Sequence, residues 1–165
     1  MAKTIEQKYK ELSEQEHVLL RPGMYVGSVK PELSTQFVFD YKEQMMVQKE
    51  VEYVPAILKL IDEIISNSTD EYRRPDNIGL TQISVTVMKD NTIVIEDNGG
   101  IPVVKHKEAG IMVPQLIFGR MRTSSNYNDD EDRSGLGTNG VGSSLTNIFS
   151  SYFGVMTDDG KKRWV

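Results

Sequence analysis

The sequence contains no cysteine. A disulfide framework and any zinc site built on thiolates are therefore excluded, and a reducing compartment is compatible. It also has no basic excess: 19 Lys and Arg stand against 24 Asp and Glu, a net charge of −5. A free-standing nucleic-acid binder normally shows a basic patch, so this balance argues against one. No run approaches the roughly 18–20 apolar residues of a membrane span, and the N-terminus has no signal-peptide core. Internal repeats and low-complexity tracts are missing as well. What remains is 165 residues, 38% hydrophobic, enough for one domain with a real core and hardly for two.

One stretch organises the rest. Ile57, Leu58, Ile61, Ile64 and Ile65 recur at three- and four-residue spacing, the stripe of an amphipathic helix, with Pro55 near its start. At about 100° per residue, Glu63, Asn67 and Asp70 share the opposite face. That face offers a carboxylate able to act as a base, a carboxamide able to ligate a hard cation, and a second carboxylate. Taken alone, it reads equally as a solvated polar face.

Along the chain, residues 1–20 read as a helical arm, mixing charge with apolar side chains from Lys8 to Leu20 and broken by Arg21-Pro22-Gly23. Gln36 to Tyr41 has the content of a strand, and Lys42 to Glu52 reads as a polar connection. The central helix must stop near Tyr72, before Arg73-Arg74-Pro75. Ile83–Val87 and Thr92–Glu96 alternate cleanly around Lys89-Asp90-Asn91, a hairpin that ends in Asp97-Asn98-Gly99-Gly100. Val113 to Met121 and Val141 to Phe149 predict short helices. Between them Thr123 to Gly140 is polar and glycine-rich, a length typical of a functional loop or a disordered segment. Tyr152–Thr157 and Lys161–Val165 suggest a last hairpin around Asp158-Asp159-Gly160. Helices layered on one face of a mostly antiparallel sheet follow from this order.

Gly135-Leu-Gly137-Thr-Asn-Gly140 fits G-x-G-x-x-G, but no strand precedes it, which removes the dinucleotide-fold reading. A P-loop would need Gly-Lys-Ser/Thr where this chain has Gly140-Val141-Gly142. Two uses stay open. Gly137, Gly140 and Gly142 could bring backbone N–H groups and a helix N-terminus against an anion, or they could form a flexible connection.

Glu63…Asn67…Asp70, then Asp97-Asn98-Gly99, then Asn139-Gly140-Val141-Gly142 resemble the successive ATP-site motifs of the GHKL ATPases. Within them, Glu16-His17 to Pro22, Met24 to Ser28, Ile101 to Val104, Leu116 to Gly119, Thr123 to Tyr127 and Thr146 to Ser150 resemble type II DNA topoisomerases. The wording of Asn139 to Phe149 is closest to the large subunit of tailed-bacteriophage topoisomerases.

The resemblance implies an α+β fold, the GHKL (Bergerat) two-layer sandwich with helices on one face of a mixed, mostly antiparallel sheet. It implies one ATP-binding domain over 1–165, with an arm at 1–22 and an ATP lid at about 103–142. It also assigns roles. Glu63 is the expected general base, Asn67 the Mg²⁺ ligand, and Asp97 the acceptor for the adenine amino group. Asp70 supports the site, and Asn139, Gly140, Val141 and Gly142 cradle the phosphates. Ile101 and Phe118 line the base pocket, Ser124, Ser125 and Asn126 meet ribose or phosphate, and Arg74 lies near the phosphates.

Two departures from the family pattern stand out. Asp-x-Gly-x-Gly is one residue short in Asp97-Asn98-Gly99-Gly100-Ile101, which leaves Asp97 or Glu96 as the adenine acceptor; the intact Asp97-Asn98-Gly99 favours Asp97. The further strands and the transducer lysine expected after Val165 are missing, so the domain reads as incomplete at its C-terminus. The implied function is ATP binding and hydrolysis that closes a dimeric gate during DNA strand passage. The alternatives are a nucleotide-binding or dimerisation module without turnover, or a mismatch-repair or chaperone ATPase. Expected partners are a second copy on ATP binding, with Tyr9 in the exchanged arm, and transducer and cleavage regions through which DNA is met. A cytoplasmic location is expected, the host's if phage-encoded.

Overall fold

Residues 5, 9–73, 79–121 and 140–165 are described by the computed structural model. They fall into two compact units, Met1–Ile57 and Leu58–Val165.

In the first unit, helix α1 (Glu14–Leu20) takes up only the end of the helical arm expected over residues 1–20: residues 9–13 are not helical, and residues 1–4 and 6–8 lie outside the described ones. Ser13 fixes its start through a capping box: Ser13 Oγ accepts from the Glu16 N–H at 3.2 Å, and Glu16 Oε2 accepts from the Ser13 N–H at 2.9 Å. Val18 is its fully buried residue. Pro22 ends it and opens a single 3₁₀ turn, Pro22–Met24. Tyr25 then returns its hydroxyl to His17 Nδ1 at 2.8 Å.

Strand β1 (Glu32–Asp40) pairs antiparallel with β2 (Met45–Tyr53), in a register running from Glu32↔Tyr53 to Asp40↔Met45. The expectation of a polar connection at Lys42–Glu52 was therefore wrong. One face of β2 alternates as Met45, Val47, Lys49, Val51, Tyr53, and the lysine in its middle hides the period. Lys49 reaches Asp40 at 2.7 Å, so the charge is paired on that face. Asp40 also accepts from the Lys42 and Glu43 N–H groups in the turn. These bonds, Lys49 foremost, hold its carboxyl down at about 2.

Helix α2 (Pro55–Arg73) begins at the end of the first unit and runs into the second. Its described part reaches Arg73, and the expected stop at Arg73-Arg74-Pro75 runs into residues outside the described ones. Its burial differs from the sequence pattern: Ile57 and Leu58 are exposed, whereas Ser68 and Asp70 are buried. Strand β3 (Ile83–Val87) pairs with β4 (Ile93–Asp97) from Ile83↔Asp97 to Val87↔Ile93, the expected hairpin. Its turn is closed by the Thr92 N–H on Asp90 Oδ1 at 3.0 Å and by Asn91 at φ 66°.

Helix α3 (Val113–Gly119) and helix α4 (Gly142–Phe149) pack together around Leu145, which is buried with Leu80 and Val103. Strands β5 (Thr157–Asp158) and β6 (Arg163–Trp164) form a shorter hairpin than expected. Its turn is held by the Gly160 N–H on Asp158 Oδ1 at 2.9 Å. The described strands thus pair as antiparallel hairpins. Among the described residues no helix is long and apolar enough to cross a membrane.

Candidate functional site

Glu63 lies on the inner side of α2, its side chain 22% exposed. One carboxylate oxygen, Oε1, meets Lys59 Nζ at 2.5 Å, one turn earlier on the helix. The other, Oε2, rests against Gly142, the first residue of α4. A Cβ on Gly142 would run into that carboxylate and would stand 3.0 Å from the Glu63 Cβ. A side chain at position 142 would therefore push the Glu63 carboxylate aside, because α2 passes so close. Gly140 adopts φ 61°, which feeds the chain into α4 through a conformation that suits glycine. The Val141 cap provides no side-chain bond to the first N–H groups of α4.

What holds α4 in place is a set of polar side chains. Ser143 Oγ donates to the Ile117 carbonyl at 2.9 Å, Ser144 Oγ to that of Arg120 at 2.6 Å, and Asn147 Nδ2 to that of Phe118 at 3.1 Å. These are carbonyls at the end of α3, which have no partner within the helix. Thr146 Oγ1 donates to the Leu60 carbonyl of α2 at 3.1 Å. So α4 is bonded to both helices, and its N-terminus stays fixed beside Glu63. Ser143 and Ser144 are buried yet fully partnered, as buried hydroxyls must be.

Asp97 closes β4 and turns toward α2. Its Oδ2 accepts from Ser68 Oγ at 2.6 Å, and its Oδ1 accepts from the Gly99 N–H at 3.0 Å. Asn98 anchors the turn: its Oδ1 accepts from the N–H groups of Thr81 and Gln82, at 2.8 and 2.9 Å, and its Nδ2 donates to Thr81 Oγ1. Glu96 is exposed and, by strand alternation, on the other face. Beyond the turn, Thr157 Oγ1 accepts from the Ile101 N–H at 3.0 Å and Asp159 Oδ2 from the Val103 N–H at 2.9 Å. The N–H groups of Val103, Lys162 and Lys161 lower the Asp159 carboxyl below its usual value.

The structure thus brings Glu63 and Gly142 together and ties Asp97 to the same helix through Ser68. Asn67 is exposed one turn beyond Glu63, and Asp70 is buried near the helix end. Ile101 is half-buried, and Phe118 packs its ring on Phe153 with centroids 6.1 Å apart. Arg74, Ser124, Ser125, Asn126 and Asn139 lie outside the described residues. Lys59, Ser68 and the polar set of α4 escaped the sequence reading. Lys59 left a signal in its four-residue spacing from Glu63, and Ser143, Ser144, Thr146 and Asn147 lay within the stretch Asn139 to Phe149 without a role. The Lys59 ammonium is held above its usual value, chiefly by its bond to Glu63.

Among the described residues no three His, Cys, Asp or Glu side chains gather as a metal cage. A Mg²⁺ carried by a nucleotide does not require one, since phosphate and water oxygens fill most of its shell. A single exposed carboxamide such as Asn67 fits that chemistry.

No family model matches the sequence. The solved ATPase and transducer domains of DNA topoisomerase II from Balamuthia mandrillaris superpose with a TM-score of 0.84 at 43% identity, over 90% of this chain and 38% of that one. The chain is homologous to the N-terminal ATPase region of type II DNA topoisomerases. The ATPase region of Saccharomyces cerevisiae topoisomerase II gives 0.81 at 39% identity, over 87% of this chain and 38% of that one. DNA topoisomerase 2 of Arabidopsis thaliana is 43% identical over 160 residues. That match takes in 97% of this chain but 11% of the relative, so the chain spans a small part of the topoisomerases it resembles. The α+β fold of the GHKL ATPases expected from the motifs stands with these neighbours.

Proposed function

We propose that the chain binds Mg-ATP and serves as the ATP-hydrolysing part of a type II DNA topoisomerase. The observation that carries this reading is the Glu63 carboxylate set against Gly142 at the N-terminus of α4. A helix start with N–H groups free of a side-chain cap suits a phosphate, and a carboxylate beside it suits the water that attacks one.

In this reading Glu63 orients that water and takes its proton. The N–H groups at Gly140, Val141 and Gly142 hold the phosphates, with Asn139 before them and Arg74 nearby. Asn67 would hold Mg²⁺, which when bound neutralises phosphate charge. Asp70 supports α2 from within. Asp97 accepts from the adenine amino group; each carboxylate oxygen has two lone pairs, so the bonds from Ser68 and Gly99 leave acceptor capacity. Ile101 and Phe118 flank the base, and Ser124, Ser125 and Asn126 reach ribose or phosphate.

ATP binding would then drive pairing with a second copy, the arm with Tyr9 reaching across, and further regions of the protein would act on DNA. The wording of Asn139 to Phe149 favours the phage type and, with it, the host cytoplasm. The test is calorimetric binding of Mg-ATP to Asp97→Ala and Glu96→Ala. Affinity should fall on the order of tenfold or more for Asp97→Ala, the loss of one hydrogen bond to a charged acceptor, and stay unchanged for Glu96→Ala. The reverse pattern would place the acceptor at Glu96.

A further inference from the structure

The segment Ile101-Pro102-Val103 follows the Asp97 turn without belonging to a strand, so its backbone N–H groups have no ladder partners. Pro102 carries no N–H, which leaves two donors, those of Ile101 and Val103. Both are met by side chains of the last hairpin. Thr157 Oγ1 accepts the first at 3.0 Å, and Asp159 Oδ2 the second at 2.9 Å. Acceptors two residues apart thus meet donors two residues apart, the spacing of an extended pair, with side chains standing in for a strand's carbonyls. Val103 is buried, so its N–H would be costly to leave without a partner.

The two acceptors are themselves held. Thr157 pairs with Trp164 across the β5–β6 hairpin. Asp159 divides its carboxylate: Oδ1 accepts from the Lys161 and Lys162 N–H groups at 2.9 and 2.8 Å, and Oδ2 takes Val103. One side chain therefore closes the hairpin's own turn and grips the neighbouring segment. Of the N–H groups that lower its carboxyl, that of Val103 acts most strongly. The chain enters the segment through Gly99-Gly100, which have no side chains to fix its course. The N–H bonds of Ile101 and Val103 both run to the hairpin instead.

We infer that Thr157 and Asp159 are positioning residues for one wall of the base pocket: they hold Ile101-Pro102-Val103 in place so that Ile101 flanks the base that Asp97 recognises. This rests on the reading of Asp97 and Ile101 as the base end of the site. Neither residue touches the nucleotide; each acts through the backbone of the segment. The β5–β6 hairpin thereby governs affinity for the base and leaves the chemistry at the phosphate alone.

The test is steady-state hydrolysis of Mg-ATP by the full-length protein, with calorimetric binding of Mg-ATP to the same preparations. Five proteins are compared: wild type, Thr157→Val, Thr157→Ser, Asp159→Ala and Asp97→Ala. Thr157→Val keeps the shape of the side chain and removes the acceptor. It should weaken Mg-ATP binding and raise KM roughly three- to tenfold, the scale of one hydrogen bond. Its kcat should stay within about twofold, because the lost interaction serves ground state and transition state alike. Thr157→Ser, which keeps the hydroxyl, should restore most of the affinity, and Asp159→Ala should act in the same direction as Thr157→Val. A merely structural role would reduce the folded fraction, lowering kcat with KM unchanged, and that result would overturn the inference. Wild-type KM and affinity in Thr157→Val and Asp159→Ala, beside weakened binding in Asp97→Ala, would also overturn it and leave the base pocket standing. Unchanged Mg-ATP affinity in Asp97→Ala would instead bring down the reading on which the inference stands.

Discussion

The hydroxyl of Ser68 donates to Asp97 Oδ2 at 2.6 Å, joining helix α2 to the end of strand β4. Asp97 is thereby aimed by the helix that carries Glu63 and Asn67, five residues and one residue before Ser68. In the proposed function the base-recognition end and the phosphate end of the site would then share one helix.

Ser68→Ala leaves the Asp97 carboxylate short of one donor in a partly buried place. The expected loss is roughly 1–2 kcal/mol of stability, read from denaturant melts. Mg-ATP affinity should fall with it, since Asp97 is freed to turn. An unchanged melt and unchanged affinity would show that the bond does not hold Asp97.

Gly142→Ala places a methyl group where the Glu63 carboxylate lies. The carboxylate is the end of a flexible side chain and can move away, so stability should drop by only about 1 kcal/mol, the low end of overpacking costs. Turnover should drop far more, on the order of 100-fold, because the base is displaced from its position. Parallel melts and ATPase rates check this; a variant with wild-type rate would mean that the close approach is not needed.

The pH response of the β1–β2 hairpin follows from Asp40. Its folded value of about 2 is below the ordinary 3.8, chiefly through Lys49. A depressed carboxylate adds stability that is present above 3.8 and is lost as pH falls toward 2. Lys49→Met should therefore raise the Asp40 titration toward the ordinary value and shift the acid loss to higher pH. NMR titration of the Asp40 carboxyl measures it, and an unmoved midpoint would contradict the assignment.

Much of this was legible in the residue pattern, for physical reasons. Pro55 to Tyr72 has helical period and a proline stop, and Ile83–Val87 with Ile93–Asp97 has strand period around a turn. Strand β2 was hidden because Lys49 interrupts its alternating face, and only the pairing with Asp40 makes that lysine fit. The buried side of α2 was misread too. Ile57 and Leu58 looked like core yet are exposed, whereas Ser68 and Asp70 are buried; Ser68, on the stripe of Ile61, Ile64 and Ile65, meets β4, and Glu63 meets α4. The glycines of Gly140-Val141-Gly142 announced a close approach without naming what approaches. Only the fold identifies it as Glu63.

The central claim is that Glu63 is the base of an ATP-hydrolysing site. Its most direct test is Glu63→Gln in the full-length protein, with Mg-ATP hydrolysis and Mg-ATP binding measured on the same preparation. The substitution keeps shape and removes only basicity, so hydrolysis should fall by about 10²–10⁴ while affinity stays near wild type. Hydrolysis at the wild-type rate, with binding intact, would contradict the account.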